Sequence, residues 1–557
     1  MIHISQLKMP LGHTEKALYK KAAGMLRIPE EEIESVSVVK QSVDARKKPD
    51  ISYSYVVNVT LKGKGKAGAR QEEKLVKRLK DRNITLCEEV PYHLPEPGQE
   101  ELLYPPVIIG TGPAGLFCGL MLARKGYRPL LLERGEDVDS RTAKVERFWR
   151  EGKLDPSSNV QFGEGGAGTF SDGKLNTLVK DSSGRNHEVL RILTEFGADP
   201  SICYVNKPHI GTDVLSRIVK SIRQEIEKLG GRVRFLSQVT DFEIENGGLA
   251  ALTVNDSERI PVQAAVLAVG HSARDTFEKL YDRGIPMEAK AFAVGLRIQH
   301  PQVMINKSQY GMEQCRELGP ASYKLTKQVS NGRGVYSFCM CPGGYVVNAS
   351  SEPGKLAVNG MSYHDRAGEN ANSALIVTVT PEDFSHCLKN EGRNEEEKTQ
   401  CHPLSGIYFQ RMLEKKAYEL CRGKIPVQLY GDFKENRVSS GFGQVLPAFR
   451  GEYEFANLRE MLPEYISDSL LEAMESFGHM IQGFDRPDAL FAGIESRTSS
   501  PVRIPRDSRM ESSICGLFPC GEGAGYAGGI TSAAMDGIKT AEEIIRRYHP
   551  CLREYGK

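Results

Sequence analysis

Val107-Ile108-Ile109-Gly110-Thr111-Gly112-Pro113-Ala114-Gly115 carries the clearest evidence for the fold class. The apolar triplet predicts a buried strand, and the glycines that follow are spaced Gly-x-Gly-x-x-Gly ahead of an apolar helix. In such a turn the first glycine allows the tight bend, the second lets the backbone approach a pyrophosphate, and the third permits close helix–strand packing. The helix N-terminus favours an anion. We therefore expect a Rossmann-type dinucleotide site that uses Gly110, Gly112, Pro113, Ala114 and Gly115.

A second apolar strand, over residues 129–133, ends in a carboxylate at Glu133. At this point of a dinucleotide fold, a carboxylate can accept hydrogen bonds from the ribose hydroxyls. The sequence thus predicts cofactor contacts at Glu133 and at the adjacent Arg134.

Near the other end of the chain, Leu517-Phe518-Pro519-Cys520-Gly521-Glu522-Gly523 forms an apolar strand that ends in Gly-Glu. It leads through Gly528-Gly529-Ile530 into another helix. In folds that bind FAD, a Gly-acid pair here holds the ribityl chain, which a simple NAD domain does not have. We therefore predict FAD, with contacts from Gly521, Glu522, Gly529 and Ile530; an unrelated strand and glycine loop is the alternative.

Two segments between these ends are further candidates for cofactor contact. Ala268-Val269-Gly270 resembles the small-residue segment in the middle of FAD folds, and Val239 lies where a backbone contact to adenine is usual. We expect Val239, Ala268 and Gly270 to line the site.

From about Pro106 onward the sequence resembles a bacterial family of largely uncharacterised FAD-dependent dehydrogenases of the NAD(FAD)-utilising type, distantly similar to the fumarate reductase and glutathione reductase superfamily. The motifs that carry the resemblance are Gly163-Glu164-Gly165-Gly166-Ala167-Gly168-Thr169-Phe170-Ser171-Asp172-Gly173-Lys174, Gly270-His271-Ser272-Ala273-Arg274-Asp275, Glu495-Ser496-Arg497-Thr498-Ser499-Ser500-Pro501 and Gly521-Glu522-Gly523-Ala524-Gly525-Tyr526. The resemblance implies FAD and redox chemistry but no particular substrate.

The resemblance also implies that the segment 163–174 passes close to the pyrophosphate and the flavin ring. Gly163, Gly165, Gly166 and Lys174 are accordingly expected at the cofactor, and Ser171 is a candidate catalytic residue. A glycine-rich loop with a purely structural role is the alternative.

Two further residues are candidates for catalysis. Arg497 precedes the ribityl strand, where it could bind an anionic substrate or the reduced flavin; an ordinary salt bridge is the competing interpretation. Cys341 forms a closely spaced pair with Cys339 and could be redox active, although buried cysteines are more often packing residues. No His, Cys and Asp grouping has the spacing of a metal site, so we expect no metal.

A chain of 557 residues is too long for one ordinary core. We predict an α/β fold with a small N-terminal α+β domain over 1–95 and a linker over 96–105. A discontinuous Rossmann-type FAD-binding domain follows over 106–285 and 485–557, with an inserted mixed α+β substrate or cap domain over 286–484.

The composition favours a cytoplasmic protein. Hydrophobic residues make up 40% of the chain and charged residues 26%, and there is neither a long apolar run nor a secretory signal. Twelve scattered cysteines fit reduced thiols. A net charge of +1 gives no general attraction to nucleic acid or membrane.

We therefore predict an FAD-dependent dehydrogenase or oxidoreductase that acts on a small, anionic organic substrate. Only one dinucleotide fingerprint is visible, so we expect no separate NAD(P) domain; NAD(P)H would bind transiently as an electron donor or not at all. Nucleic acid is the less favoured partner, because the basic N-terminal region around Arg46-Lys47-Lys48 could also be a solvated surface. An RNA-acting flavoprotein and a non-catalytic, redox-sensing flavoprotein are the alternatives, and the sequence does not predict an oligomeric state.

Overall fold

The N-terminal part of the chain is a mixed α/β unit. The structure is a computed structural model that describes residues 1–63, 65–88, 90–385, 387 and 401–551. The elements here are β1 (Ile2–Pro10), α1 (Glu15–Leu26), β2 (Ile33–Asp44), β3 (Ser52–Leu61), α2 (Gly65–Leu79) and β4 (Ile84–Leu86). The strands form an antiparallel sheet in the order β2-β3-β1-β4. Alternate side chains of β3 are buried together with the apolar side of α1, as a half-covered sheet requires.

Strand–turn–helix units follow. The elements are β5 (Glu100–Glu101), β6 (Val107–Ile109), α3 (Pro113–Arg124), β7 (Leu130–Leu132), α4 (Val138–Glu151), α5 (Arg185–Glu195), α6 (Thr212–Lys228), β8 (Arg232–Arg234), β9 (Val239–Glu245), β10 (Gly248–Val254), β11 (Glu258–Pro261), β12 (Ala265–Leu267) and α7 (Arg274–Asp282).

The remainder of the chain begins with longer antiparallel strands. Its elements are β13 (Glu288–Ala289), β14 (Phe292–Pro301), α8 (Gln302–Tyr310), β15 (Thr326–Gln328), β16 (Gly334–Cys341), β17 (Tyr345–Asn348), β18 (Val358–Met361), β19 (Asn370–Val379), α9 (Pro381–Phe384), α10 (Ser405–Cys421), β20 (Ile425–Leu429), α11 (Tyr430–Lys434), β21 (Phe449–Arg450), β22 (Tyr453–Phe455), α12 (Glu464–Met480), β23 (Leu490–Glu495), β24 (Val502–Arg503), β25 (Leu517–Pro519), α13 (Ile530–Arg547) and β26 (Tyr548–His549).

A parallel sheet joins strands from distant parts of the sequence in the order β25-β12-β6-β7-β8. One face of the sheet packs with α3, α6 and α13, and the other packs with the β9–β11 meander and α7. Burial on both faces explains why these strands are continuous apolar runs. Helices α3 and α13 approach closely, since a Cβ on Gly537 would lie 2.1 Å from the carbonyl oxygen of Ala114.

A second, larger sheet has the strand order β15-β16-β19-β14-β23-β20-β22. Its centre is the long antiparallel pair of β14 and β19, which is buried almost throughout. Helices α10 and α12 contribute to the same apolar core. Strand β23 ends at Glu495 and β16 at Cys341, and these two ends bring polar side chains toward the parallel sheet.

The N-terminal unit is hydrogen-bonded to both other parts of the chain. The N–H of Gln41 donates to the carbonyl of Tyr204 at 2.7 Å, and the N–H of Asn206 donates back to Gln41 at 2.8 Å. The Tyr53 hydroxyl donates to the carbonyl of Glu317 at 2.7 Å. Within the described ranges, no helix combines the length and the apolar character needed to cross a bilayer.

Candidate functional site

A cleft of about 340 Å³ lies at the carboxyl ends of the parallel strands and extends toward the larger sheet. Ligands of open α/β sheets bind at this edge, where successive loops diverge. The structure brings most of the residues singled out in the sequence to its walls. The predicted residues that line the cleft are Gly110, Gly112, Pro113, Ala114, Glu133, Arg134, Gly163, Gly166, Ser171, Lys174, Val239, Ala268, Gly270, Arg497, Glu522, Gly529 and Ile530.

Four residues predicted for the site lie behind its walls instead. A Cβ on Gly115 would lie 2.0 Å from the carbonyl oxygen of Gly110, so this glycine permits helix–strand packing. Gly165 and Gly521 have φ angles of 85° and 77°, in the left-handed region that favours glycine. Cys341 is completely buried beneath Cys339. These positions shape the site without lining it.

Four glycines form an open row along the cleft. A Cβ built on Gly270, Gly528 or Gly529 would meet no heavy atom within 4 Å, and one on Gly112 would meet only the Cα of Gly166 at 4.0 Å. None of the four has a φ in the left-handed region. The fold therefore neither requires glycine at these positions nor fills the space beside them. Such a row fits a ligand that runs extended along the backbone.

Two helix N-termini face this row. Helix α3 is preceded by Gly112 and α13 by Gly529, and neither cap residue satisfies the first N–H groups with a side chain. The unpaired donors and the helix dipole favour negative charge at both places. One terminus suits a pyrophosphate, and the other suits an electron-rich edge of a ring.

The carboxylate of Glu133 holds the first glycine turn in place through hydrogen bonds. Its carboxylate accepts hydrogen bonds from the backbone N–H and the hydroxyl of Thr111, at 2.9 and 2.8 Å. It also accepts from the N–H groups of Gly135 and Gly163, at 2.9 and 3.0 Å. The same carboxylate lines the cleft, so Glu133 couples the turn to the glycine-rich loop at the place predicted for ribose. The neighbouring Arg134 donates a hydrogen bond from Nη2 to Asp275 Oδ1 at 2.9 Å.

Arg141, which sequence reasoning missed, fixes the glycine-rich loop. Its guanidinium is completely buried and donates to five carbonyls, those of Asn159, Val160, Gly163, Glu164 and Gly166, at 2.7 to 3.2 Å. Arg141 lies in α4 among other charged residues, so no local pattern in the sequence distinguishes it.

The rest of the glycine-rich loop is tied through Asp172 to the segment between β18 and β19. This buried carboxylate accepts a hydrogen bond from Arg366 Nε at 3.0 Å, and Arg366 Nη2 and the Ser362 hydroxyl also donate to it. The amine of Lys174 lies 3.9 Å from the same carboxylate. Ser171, predicted as catalytic, donates to the carbonyl of Gly168 at 2.7 Å and so shapes the loop.

Arg497 lines the cleft but is fully engaged in a buried ion-pair network. Its guanidinium makes two bonds to Glu414, which also pairs with the buried Arg274 at 2.7 Å. Its remaining contacts are with the hydroxyls of Ser272 and Ser351. Although burial alone would raise the pKa of Glu414, the two arginines hold it well below its usual range. The contacts of Arg497 thus match the salt-bridge interpretation.

A buried arginine, a carboxyl and two thiols meet at the end of the cleft next to the larger sheet. Arg297 Nη1 lies 3.4 Å from both oxygens of Glu495. Burial raises the pKa of Glu495 to about 7, although Arg297 acts in the opposite direction. The hydrogen bond with the Cys341 thiol lowers the pKa of Cys339 despite its burial, and the charges of Arg297 and Lys174 act in the same direction. Both Cys339 and Glu495 line the cleft.

His271 is another residue of the site that was not predicted from the sequence, although it lies in the Gly270–Asp275 motif. Its side chain is buried at the wall of the cleft, and Nδ1 lies 3.2 Å from Glu522 Oε1. This contact joins the middle glycine segment to the Gly-Glu pair near the other end of the chain.

Solved structures give only distant likenesses. A flavin-dependent brominase triple mutant is 13% identical, covering 80% of each chain, with a TM-score of 0.33. The quinol fumarate reductase of E. coli is 12% identical over 81% of this chain and 71% of that one, with a TM-score of 0.35. Glycine oxidase from Bacillus cereus is 11% identical over 81% and 99%, with a TM-score of 0.31. None of these is close enough to assign a function.

Sequence comparisons are closer. Residues 291–498 match the model of the family described as FAD-dependent protein, C-terminal domain-like, and residues 1–60 match a domain of unknown function. A Clostridium beijerinckii protein described as an uncharacterized protein is 48% identical over 98% of this chain and 99% of its own length. The chain therefore belongs to the same family as the Clostridium beijerinckii protein.

Proposed function

We propose that the chain is an FAD-dependent oxidoreductase of the dehydrogenase type, which binds FAD in this cleft and acts on a small anionic organic molecule. The observation that carries the proposal is the open row of Gly112, Gly270, Gly528 and Gly529 between two uncapped helix N-termini. The match of residues 291–498 to an FAD-dependent family supports the same cofactor.

Each part of the dinucleotide has a matching group in the cleft. The backbone at Gly112 and Pro113, at the start of α3, suits the pyrophosphate, and Glu133 suits the adenosine ribose. Glu522 suits the ribityl chain, and the start of α13 at Ile530 suits the flavin edge. When bound, FAD supplies two-electron redox chemistry that side chains do not provide.

The chain's own residues would bind the substrate and handle its proton. Lys174 is a partly exposed cation at the cleft, so it is our candidate for binding an anionic group of the substrate. Glu495 can hold or release a proton near neutral pH, since burial raises its pKa to about 7. NADH or NADPH is proposed as a transient electron donor.

FAD binding is tested by measuring the cofactor released from denatured, purified protein. We expect about one FAD per chain in the wild type and a strong loss in Gly112→Val, whose side chain would enter the open row. The matched control is Gly441→Val, because Gly441 is exposed and its Cβ also has no neighbour within 4 Å. Full FAD content in Gly112→Val would contradict the proposed site.

Redox activity is tested by mixing the holoprotein anaerobically with NADH, NADPH and a panel of small carboxylic acids. We expect at least one of them to bleach the visible flavin absorbance within seconds to minutes. A bound flavin that none of these donors reduces would favour a non-catalytic flavoprotein.

A further inference from the structure

Cys339 and Cys341 occupy an irregular end of strand β16. Residues i and i+2 of a regular strand share one face, but a register shift between Phe338 and Cys341 interrupts the pairing with β19. Cys339 itself has a φ of 42°, in the left-handed region that non-glycine residues rarely adopt. The irregularity places Cys339 at the wall of the cleft, with Cys341 buried behind it. Strained backbone of this kind concentrates at functional sites.

Both sulfurs lie in the field of one buried cation. Arg297 Nη2 donates to the carbonyl oxygen of Cys339 at 2.5 Å and lies 3.7 Å from the sulfur of Cys341. The Cys341 thiol in turn points at the Cys339 carbonyl oxygen, at 3.2 Å. A nearby positive charge stabilises a thiolate, which is the reactive form of cysteine.

Other buried cysteines of the chain show how a packing thiol differs. Cys118 and Cys520 lie in the apolar core of the parallel sheet, where burial raises the pKa of each. The pKa of Cys339 is lowered instead, and its side chain borders the cleft. Packing therefore accounts for Cys118 and Cys520 but not for Cys339.

We propose that Cys339 and Cys341 form a redox-active dithiol that reduces a small-molecule disulfide entering the cleft, with Cys339 as the attacking thiolate. This inference deepens the proposed function and rests on it for one step only, the return to the dithiol. That step needs two electrons and two protons, and its reductant is a two-electron donor of the flavin class.

The exchange itself is balanced by the chain and the disulfide alone. The Cys339 thiolate attacks one substrate sulfur, the substrate S–S bond breaks, and the first thiolate leaves. This thiolate takes up a proton from water, which balances the proton that Cys339 released when it ionised. The Cys341 sulfur then attacks the sulfur of Cys339 in the mixed disulfide. The second thiolate leaves and takes up the proton of Cys341. One substrate disulfide is reduced to two thiols, and the protein dithiol is oxidised to the Cys339–Cys341 disulfide.

The experiment treats FAD-loaded protein with hydroxyethyl disulfide, quenches with acid, alkylates the free thiols and analyses the tryptic peptide 334–355 by mass spectrometry. This peptide contains Cys339 and Cys341 as its only cysteines. We expect the wild-type peptide to be two hydrogens lighter than the reduced peptide and not to be alkylated. We expect Cys341→Ser to retain a hydroxyethylthio adduct on Cys339, and Cys339→Ser to leave Cys341 free for alkylation. Cys515→Ser, at an exposed cysteine elsewhere, should behave as the wild type.

Each other outcome overturns a stated part of the inference. If the wild-type peptide is doubly alkylated after disulfide treatment, the proposal of a redox-active dithiol is overturned. FAD measured in the same sample then shows whether the proposed cofactor still stands. Purified protein that cannot be loaded with FAD overturns the cofactor proposal, and disulfide formed in that protein leaves the dithiol exchange intact. An adduct on Cys341 in Cys339→Ser overturns the choice of attacking thiol. The wild-type result decides for or against the dithiol even where a variant fails to fold.

Discussion

The guanidinium of Arg497 makes a two-point contact with the carboxylate of Glu414, with Nε 2.9 Å from Oε1 and Nη2 2.8 Å from Oε2. Glu414 also pairs with Arg274, so one buried carboxylate joins α10, the start of α7 and the segment that follows β23. The guanidinium of Arg497 is therefore already bound within the protein, and Lys174 is the better candidate for an anionic substrate.

Replacing Glu414 with glutamine should destabilise the fold strongly. The change leaves Arg274 and Arg497 buried with less compensating charge, and breaking a buried pair in this way costs about 3–5 kcal/mol. Urea unfolding of the purified protein measures the loss. The matched control on the same helix is Glu419→Gln, because its partner Lys415 is exposed and such pairs contribute at most about 1 kcal/mol. Equal stability of the two variants would contradict the structural role of Glu414.

Stability should fall in acid through the same network. Arg274 and Arg411 lower the pKa of Glu352 from 4.5 to about 2, although its burial acts in the opposite direction. A carboxyl with a lowered pKa in the folded state stabilises the fold above its unfolded value, and this contribution is lost as protons bind. We therefore expect the wild type to lose stability as the pH falls from 4.5 toward 2. Unfolding midpoints over this range should change less steeply in Glu352→Gln, and an unchanged slope would contradict the prediction.

Local spacing explains which parts of the site were predictable. The glycine turn at 110–115 and the Gly-Glu pair at 521–522 each concentrate their information in a few adjacent residues, and both lie at the cleft or directly behind its wall. The ion pairs could not be predicted in the same way, because Arg297 and Glu495 are 198 residues apart and only the packed sheet joins them. Which buried charges pair with each other depends on how distant strands and helices pack, and local sequence patterns do not show that packing.

The rate at which Cys339 is alkylated should rise at a lower pH than is usual for a cysteine. The pKa of Cys339 is lowered by the hydrogen bond with the Cys341 thiol and by the charges of Arg297 and Lys174, while burial and Asp172 act in the opposite direction. An ordinary thiol ionises at about 8.5. We expect the rate of iodoacetamide labelling, followed on peptide 334–355 at low reagent, to level off at a lower pH than the labelling of a free cysteine peptide. Lys174→Met should move the midpoint upward, because it removes a cation. A midpoint near that of an ordinary thiol in the wild type would contradict this prediction.

Arg141→Met should weaken FAD retention and stability together. The change removes five hydrogen bonds, three to carbonyls of the glycine-rich loop and two to carbonyls just before it, and leaves buried acceptors without donors, which costs about 1–3 kcal/mol for each such group. FAD released per chain and urea unfolding are the measurements. Arg147→Met is the control, since Arg147 is exposed on the same helix. A variant at Arg141 that retains the cofactor and the stability of the control would show that the loop holds its shape without this guanidinium.

The strand order of the parallel sheet has a consequence for biosynthesis. Strand β12 pairs with β6 on one side and with β25 on the other, and β25 and the Gly529 turn are made long after the first glycine turn. During translation, β12 remains an unpaired sheet edge, which is an aggregation hazard until the late segment arrives. Because the proposed FAD site includes the Gly529 turn, we expect the cofactor to be captured after synthesis rather than during it. We also expect a nascent chain that stalls before residue 517 to lack this site and to be recognised by chaperones and proteases.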